Sequence, residues 1–346
     1  MSDSLNIKLT ADFLQDDGST RYDDIGLDVL DEDSRFSSGY FDEHRPEIGA
    51  DQIGDADALI VLTPAVTRDT LADADRLLSV ARFGVGYDAV DVKACTDAGV
   101  LLTITSGAVD RPVAEATVGW MIGLGHHVRM KDRLVREGRW DERSDYMGTE
   151  LRDRTLGLIG VGGIARGVLR LLEPFGMNKP LAFDPFLTEE QADEIGVRKV
   201  ELAELLESSD YVSIHCPLTE ETSGMIGADE LARMKPTAYL LNTARGGIVE
   251  EDPLYEALRS GGIAGAALDC FEDEPVTSPH RFGELDNVLL APHSIAWTHE
   301  LFRDIGRTAC RSLVDLAAGR RPNGCVNPEV FDRPAFQEKW NRWTRA

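Results

Sequence analysis

No stretch of this 346-residue chain holds the roughly 18 consecutive apolar residues that a membrane-spanning helix needs. The opening MSDSLNIKLTADF lacks a basic segment followed by an apolar one, so no signal peptide is expected. Cysteine is sparse. Cys95, Cys216, Cys270, Cys310 and Cys325 are odd in number, scattered and never spaced C-x-x-C, which argues for reduced thiols in a cytoplasmic protein. His126 and His127 have no Cys or carboxylate neighbours at metal-ligand spacing, so no metal site is expected. Lysine is scarce among the charged residues, at seven. Basic residues number 36 against 61 acidic ones, a formal net charge of −25. Such a field repels nucleic acid and anionic lipid, and neither is an expected partner. An acidic, Lys-poor surface suits a high-salt cytoplasm, where screening blunts self-repulsion; an Arg-rich genome in ordinary salt accounts for it equally well.

What the chain does hold is concentrated in Thr155–Asp184, TLGLIGVGGIARGVLRLLEPFGMNKPLAFD. The apolar run Leu156–Ile159 has the length of a buried parallel strand. Gly160, Val161, Gly162, Gly163, Ile164 and Ala165 follow in the pattern G-x-G-x-x-G/A, then a helical periodicity, then a second apolar run ending at Asp184. Gly160 permits a tight turn. Gly162 lets a pyrophosphate approach the backbone at a helix N-terminus, where free N–H groups and the helix dipole favour an anion. Ala165 is small enough for helix and strand to pack closely. Asp184, nineteen positions beyond Ala165, stands where a carboxylate accepts both ribose hydroxyls of NAD. It would repel a 2′-phosphate, and Pro185 and Phe186 supply no arginine, so NAD is expected over NADP. Gly160, Gly162, Gly163, Ile164 and Asp184 are therefore the expected dinucleotide contacts.

The length accommodates two domains. Before Thr155, strand candidates are Asp57–Leu62, Leu78–Arg82 and Val100–Ile104, and the Asp-rich stretches Asp16–Asp24 and Asp28–Ser34 read as solvated loops. In RFGVGYDAVD, residues 82–91, two glycines flank Val85 just past a strand end, leaving N–H groups that could hold a carboxylate or simply turn the chain. Asp110 is expected to cap one long amphipathic helix from Pro112 to Glu137, ended by Gly138. From Thr155 onward the rhythm is strand, helix, strand, as in a doubly wound α/β sheet, with further strands at Leu181–Phe183, Tyr211–His215, Ala238–Leu241, Ala264–Leu268 and Val288–Leu290. A helix of about twenty residues follows Ala296, and Trp340 and Trp343 in the tail are expected to pack on the protein.

Chemistry in such sheets belongs at the carboxyl ends of the strands. Arg245, after a strand and before two glycines, could bind a carboxylate bidentately. His293 follows a Pro after the last strand, and imidazole ordinarily titrates near neutrality, as a general acid–base requires. Glu274 could accept from its second ring nitrogen, fixing the tautomer and stabilising imidazolium. Spacing alone leaves each with an ordinary structural reading as well: an ion pair, a cap, a solvated acid.

The chain resembles the D-isomer-specific 2-hydroxyacid dehydrogenases. The matching segments are RFGVGYDAVD (82–91), VAEATV (113–118), GVGGIA (160–165) with Asp184, HCPLTEET (215–222), NTARGGIVEE (242–251), LDCFEDEP (268–275) and APHSIAWT (291–298), in family order. The resemblance implies a Rossmann-type NAD-binding domain over 106–298. That domain would be inserted into a discontinuous, flavodoxin-like substrate domain made of 1–105 and 299–346, with the active site in the cleft between them. It implies that Val85 and Gly86 hold the substrate carboxylate through backbone N–H groups, that Arg245 binds carboxylate and carbonyl, and that His293 is the acid–base with Glu274 as its partner. Thr117, Pro217, Thr222, Thr243 and Asp269 match cofactor-contacting positions, Asp269 towards the nicotinamide amide, and the helix from Pro112 matches the dimer-forming region. The implied activity is NAD-dependent interconversion of a small 2-oxoacid and a D-2-hydroxyacid, of glyoxylate/hydroxypyruvate, D-lactate or D-3-phosphoglycerate type, by a homodimer. Formate dehydrogenase shares the fold but pairs its His with Gln, against which Glu274 speaks. An NAD-sensing corepressor of the same fold is the alternative from another class. Two departures stand out: Ala165 in place of the usual third Gly, and GAVDRP at 107–112 in place of the commoner Asn-containing loop.

Overall fold

A computed structural model describes residues 4–344; residues 1–3 and 345–346 of the expected substrate domain lie outside the described residues. The chain divides into two compact units, 4–109 with 297–344, and 110–296.

The first unit is built on five parallel strands, β1 (Leu5–Leu9), β2 (Phe36–Tyr40), β3 (Ala58–Val61), β4 (Ser79–Arg82) and β5 (Leu101–Thr103), in the order β2-β1-β3-β4-β5. That is the flavodoxin-like doubly wound order. β3 is buried along its whole length, as a central parallel strand requires. β1 and β2 carry a weaker signal. β1 alternates with polar Asn6 and Lys8, and β2 is an edge strand reading Phe-Ser-Ser-Gly-Tyr, paired with β1 from Leu5 opposite Phe36 to Leu9 opposite Tyr40.

The stretch Asp28–Ser34 is not all loop: Asp28–Asp31 forms a helical turn, Asp28 pairs with Arg307 at 2.7 Å, and Asp33 pairs with Arg35 at 2.7 Å. The C-terminal segment returns to this unit. Its helix His299–Ala317 is capped by the Thr298 hydroxyl, which accepts from Leu301 N–H, and buries Leu301, Phe302, Ile305, Ala309, Leu313 and Leu316 at helical spacing. In the last helix, Pro334–Trp343, Trp343 is buried, Trp340 donates to Leu316 O at 2.7 Å, and Lys339 donates to Ala74 O and Ala98 O, both at 2.9 Å. Burial pulls the Lys339 ammonium down to about 8.

The second unit has seven parallel strands: β6 (Leu156–Ile159), β7 (Leu181–Phe183), β8 (Arg198–Lys199), β9 (Tyr211–Ile214), β10 (Tyr239–Asn242), β11 (Gly265–Leu268) and β12 (Val288–Leu290). Their order is β12-β11-β10-β9-β6-β7-β8. β6, β9, β10 and β11 are buried throughout, with apolar clusters covering both faces. From β6 the chain runs outward through β7 and β8, then returns to place β9 on the other side. The order therefore reverses between β6 and β9, and a ligand crevice opens at such a switch point.

The single helix expected from Pro112 to Glu137 is two helices, Asp110–Gly125 and Val128–Arg136. The break is tertiary in origin. Gly125 lies so close to β9 that an added Cβ would sit 2.5 Å from Tyr211 Oη, its carbonyl accepts from Thr149 N–H at 2.8 Å, and His127 takes a left-handed conformation with φ 52°. The apolar spacing continues across the break through Met130 and Leu134, so periodicity alone cannot reveal it. Asp110 is consequently the first residue of its helix, not the residue that caps it.

Candidate active site

The Gly-rich turn is built by close approach. Gly160 has φ 85°, and a Cβ there would lie 2.8 Å from Cys216 N and 2.9 Å from His215 C. Only glycine lets the ends of β6 and β9 meet at the switch point. Gly162 N-caps the ten-residue helix Gly163–Leu172, and an added Cβ there would meet nothing within 4 Å. The turn thus presents an open face where helix N–H groups and the dipole attract a phosphate.

At the end of β7 the two carboxylate oxygens of Asp184 accept from Val161 N–H and Phe186 N–H, both at 2.9 Å. The lone pairs that remain can accept ribose hydroxyls. Thr243, just past β10, has a buried hydroxyl with no partner, a polar group that a bound ligand would satisfy. These features fit a dinucleotide. Thr117 is fully buried; its hydroxyl donates to Val113 O at 2.8 Å and keeps its lone pairs to accept. Pro217 is exposed, and the Thr222 hydroxyl braces its loop by donating to Pro217 O at 2.7 Å and accepting from Thr219 N–H at 2.7 Å. Asp110 lies against Gly163; burial raises its carboxyl and the Arg170 charge only partly counters this.

The acid–base candidates converge at the ends of β11 and β12. His293 Nδ1 lies 2.7 Å from Glu274 Oε2, while the other Glu274 oxygen accepts from Phe271 N–H at 2.9 Å. Burial by itself would raise the Glu274 carboxyl. The hydrogen bonds from His293 and Phe271, with the charges of His293 and Arg245, outweigh it and hold the group below its ordinary value. His293 has φ 51°, unusual for a residue with a Cβ. It is held there by Asp269, whose Oδ1 accepts from Ser294 N–H at 2.8 Å and Ile295 N–H at 3.1 Å. Asp269 therefore shapes the loop that aims the imidazole, a role the sequence did not reveal.

Arg245 is positioned by Asn242 and Gly246. The Asn242 amide donates to Arg245 O at 2.8 Å and its carbonyl accepts from Ala244 N–H at 3.0 Å, closing the turn. Gly246 packs on the next strand's loop, where an added Cβ would lie 1.7 Å from Phe271 O. The available signal was a buried Asn at a strand end followed by paired glycines. In the first unit, Val85 and Gly86 follow β4, and their N–H groups have no acceptor among the described residues.

A parallel sheet with a phosphate-ready turn at its switch point, beside an imidazole–carboxylate pair and a strand-end arginine, defines a nicotinamide-dependent oxidoreductase. Residues 118–294 match the family model of the D-isomer specific 2-hydroxyacid dehydrogenase NAD binding domain. The chain is 40% identical over 293 residues to a glyoxylate reductase of Korarchaeum cryptofilum, covering 83% of this chain and 88% of that one. It is 37% identical to a D-3-phosphoglycerate dehydrogenase of Archaeoglobus fulgidus, covering 79% of this chain but only 51% of that longer protein. Among solved structures, a D-lactate dehydrogenase from Aquifex aeolicus complexed with NAD and lactic acid superposes with a TM-score of 0.77 at 27% identity, covering 91% and 96% of the two chains. The chain belongs to the D-isomer specific 2-hydroxyacid dehydrogenase family. It is an NAD-dependent enzyme that interconverts 2-oxoacids and D-2-hydroxyacids.

Proposed function

We propose that His293 is the general acid–base, Glu274 its orienting partner, Arg245 the carbonyl and carboxylate clamp, and Val85 with Gly86 the backbone carboxylate site. The observation that carries this reading is the 2.7 Å contact between His293 Nδ1 and Glu274 Oε2, which leaves Nε2 as the nitrogen available to a substrate oxygen. NADH, when bound, supplies the hydride that reduces the carbonyl carbon. The protein's part is to orient and to move a proton. Arg245 draws electron density onto the carbonyl oxygen and holds the carboxylate in a fork, while protonated His293 gives that oxygen its proton from Nε2. The Glu274 carboxylate stabilises the imidazolium until the proton leaves. NADH oxidation with glyoxylate, hydroxypyruvate and pyruvate tests the reading, and absence of turnover with all three would reject small 2-oxoacids as substrates.

The cofactor is NAD in preference to NADP. Asp184 carries the charge at the ribose position, and the exposed neighbours Pro185 and Phe186 offer no cation. NADH is expected to exceed NADPH by at least about tenfold in kcat/KM, equivalent to about 1.4 kcal/mol, and Asp184→Ala to narrow the gap. Equal use of both by the unaltered enzyme would refute this.

The enzyme is a homodimer of the cytoplasm. The dimer is supported by the apolar side chains that segment 128–147 leaves in water, Val135 at 65%, Trp140 at 64% and Met147 at 78% exposure, on a unit whose long helix Asp110–Gly125 matches the dimer-forming region. A monomeric mass by light scattering would overturn it. The cytoplasmic assignment is supported by five unpaired cysteines. Among the described residues no helix is long and apolar enough to cross a membrane.

A further inference from the structure

The first unit carries an aromatic surface that carboxylate binding does not require. Phe83, two residues before Val85, packs edge-on against Phe13 at 4.9 Å between ring centroids and lies 5.9 Å from Phe302. Tyr22 stacks on Phe302 at 4.0 Å. Trp297 closes the cluster edge-on, 5.1 Å from Phe302 and 6.0 Å from Tyr22. Phe13, Phe83 and Phe302 are buried and account for themselves as core. Trp297 does not, being held by two aromatic neighbours yet 53% exposed. Among the described residues of this unit, the other large apolar side chain exposed is Tyr87, at 40%, immediately after Gly86. Both thus belong to the edge of the sheet that carries the Val85–Gly86 loop.

The charge at this edge sorts the candidates for what covers that surface. Asp12, which accepts from Thr63 N–H at 2.9 Å, and Asp23, 3.3 Å from His299, lie on the same edge loops. A second anionic group on the substrate, a phosphate or another carboxylate, would meet carboxylates there, whereas an apolar group would cover aromatic rings now in water.

We infer that the enzyme's preferred 2-oxoacid carries a bulky apolar substituent, aryl or branched alkyl, which packs on the aromatic surface of Tyr87, Tyr22 and Trp297. The inference rests on the reading of Val85 and Gly86 as the carboxylate site, because Phe83 of that surface lies two residues before Val85 and Tyr87 directly follows Gly86.

The test is NADH oxidation by the full-length enzyme with phenylpyruvate, 4-methyl-2-oxopentanoate, pyruvate and glyoxylate. At least one of the two bulky substrates is expected to exceed glyoxylate by about tenfold or more in kcat/KM, the discrimination available from even a single added methylene in an apolar site. Trp297→Ala is expected to lower the ratio of the better bulky substrate to glyoxylate at least about fivefold, and Trp297→Phe to restore most of it. A merely structural role for Trp297 would depress all four substrates together and leave that ratio unchanged. An unchanged ratio, or an unaltered enzyme that favours glyoxylate or pyruvate, overturns the inference while the dehydrogenase reading stands. Failure to turn over any of the four, with NADH binding intact, removes both.

Discussion

Replacing His293 by Ala is expected to lower kcat for 2-oxoacid reduction by about 10²- to 10⁴-fold, the range that a positioned general acid contributes. NADH affinity is expected to stay within a few-fold of normal, because the proposed target of the imidazole is the substrate oxygen and not the cofactor. The companion variant Glu274→Gln is milder. It keeps a hydrogen-bonding group beside His293 Nδ1, 2.7 Å away in the native pair, but removes the negative charge that stabilises imidazolium. The proton donor is then exhausted sooner as pH rises, so the optimum for reduction moves to lower pH. On the acid side the native pair is robust. The Glu274 carboxyl is held below its ordinary value, so its stabilising charge is fully present above that ordinary value and disappears only as pH falls through the lowered one. Steady-state rates across pH, with NADH binding followed by fluorescence, separate these effects. Near-normal turnover in His293→Ala would sink the proposed mechanism, and an optimum moving upward in Glu274→Gln would show that the carboxylate does not assist the imidazole.

Gly246→Ala is expected to be nearly as severe although it adds one methyl group and touches no titrating atom. The new Cβ would lie 1.7 Å from Phe271 O and 2.1 Å from Phe271 C, backbone atoms with no flexible side chain to yield. The Arg245 turn and the 271–274 segment must therefore separate by roughly 1 Å or more, and a misplacement of that size can lower a rate about a hundredfold. The two segments are braced elsewhere, which blocks an easy escape: Glu251 N–H donates to Glu272 and Glu272 N–H donates to Glu251, each at 2.9 Å. We expect kcat/KM to fall by about two orders of magnitude, with a loss of about 1–3 kcal/mol in stability from overpacking. Arg245→Lys offers the contrast, since it keeps the charge, loses the bidentate fork and mainly raises KM for the oxoacid. A Gly246→Ala enzyme with normal kinetics and melting temperature would show that this contact does not set the position of Arg245.

The features legible in the sequence are those encoded within about thirty residues. Leu156–Ile159, Gly160, Gly162 and Asp184 lie on one strand–turn–helix–strand unit whose local periodicity and glycine placement specify where each goes. The central strands β3, β6, β9 and β10 were legible to within about a residue because a strand buried on both faces must be continuously apolar. β1, β2 and β8 escaped notice because they alternate, are polar or are only two residues long, and owe their pairing to neighbours.

Tertiary structure alone decided the rest. The helix from Asp110 ends at Gly125 because Thr149 N–H captures the Gly125 carbonyl and Tyr211 crowds the backbone, while the apolar stripe runs on past the break. The sequence supplied His293, Glu274 and Arg245 as residue types suited to the chemistry. It could not show that Asp269 grips Ser294 and Ile295 and so aims the imidazole, or that Asn242 and Gly246 seat Arg245 against Phe271. Contacts between strand-end loops 25 or 26 residues apart leave no periodicity in the chain. They exist only once the parallel sheet has brought the carboxyl ends of β10, β11 and β12 side by side.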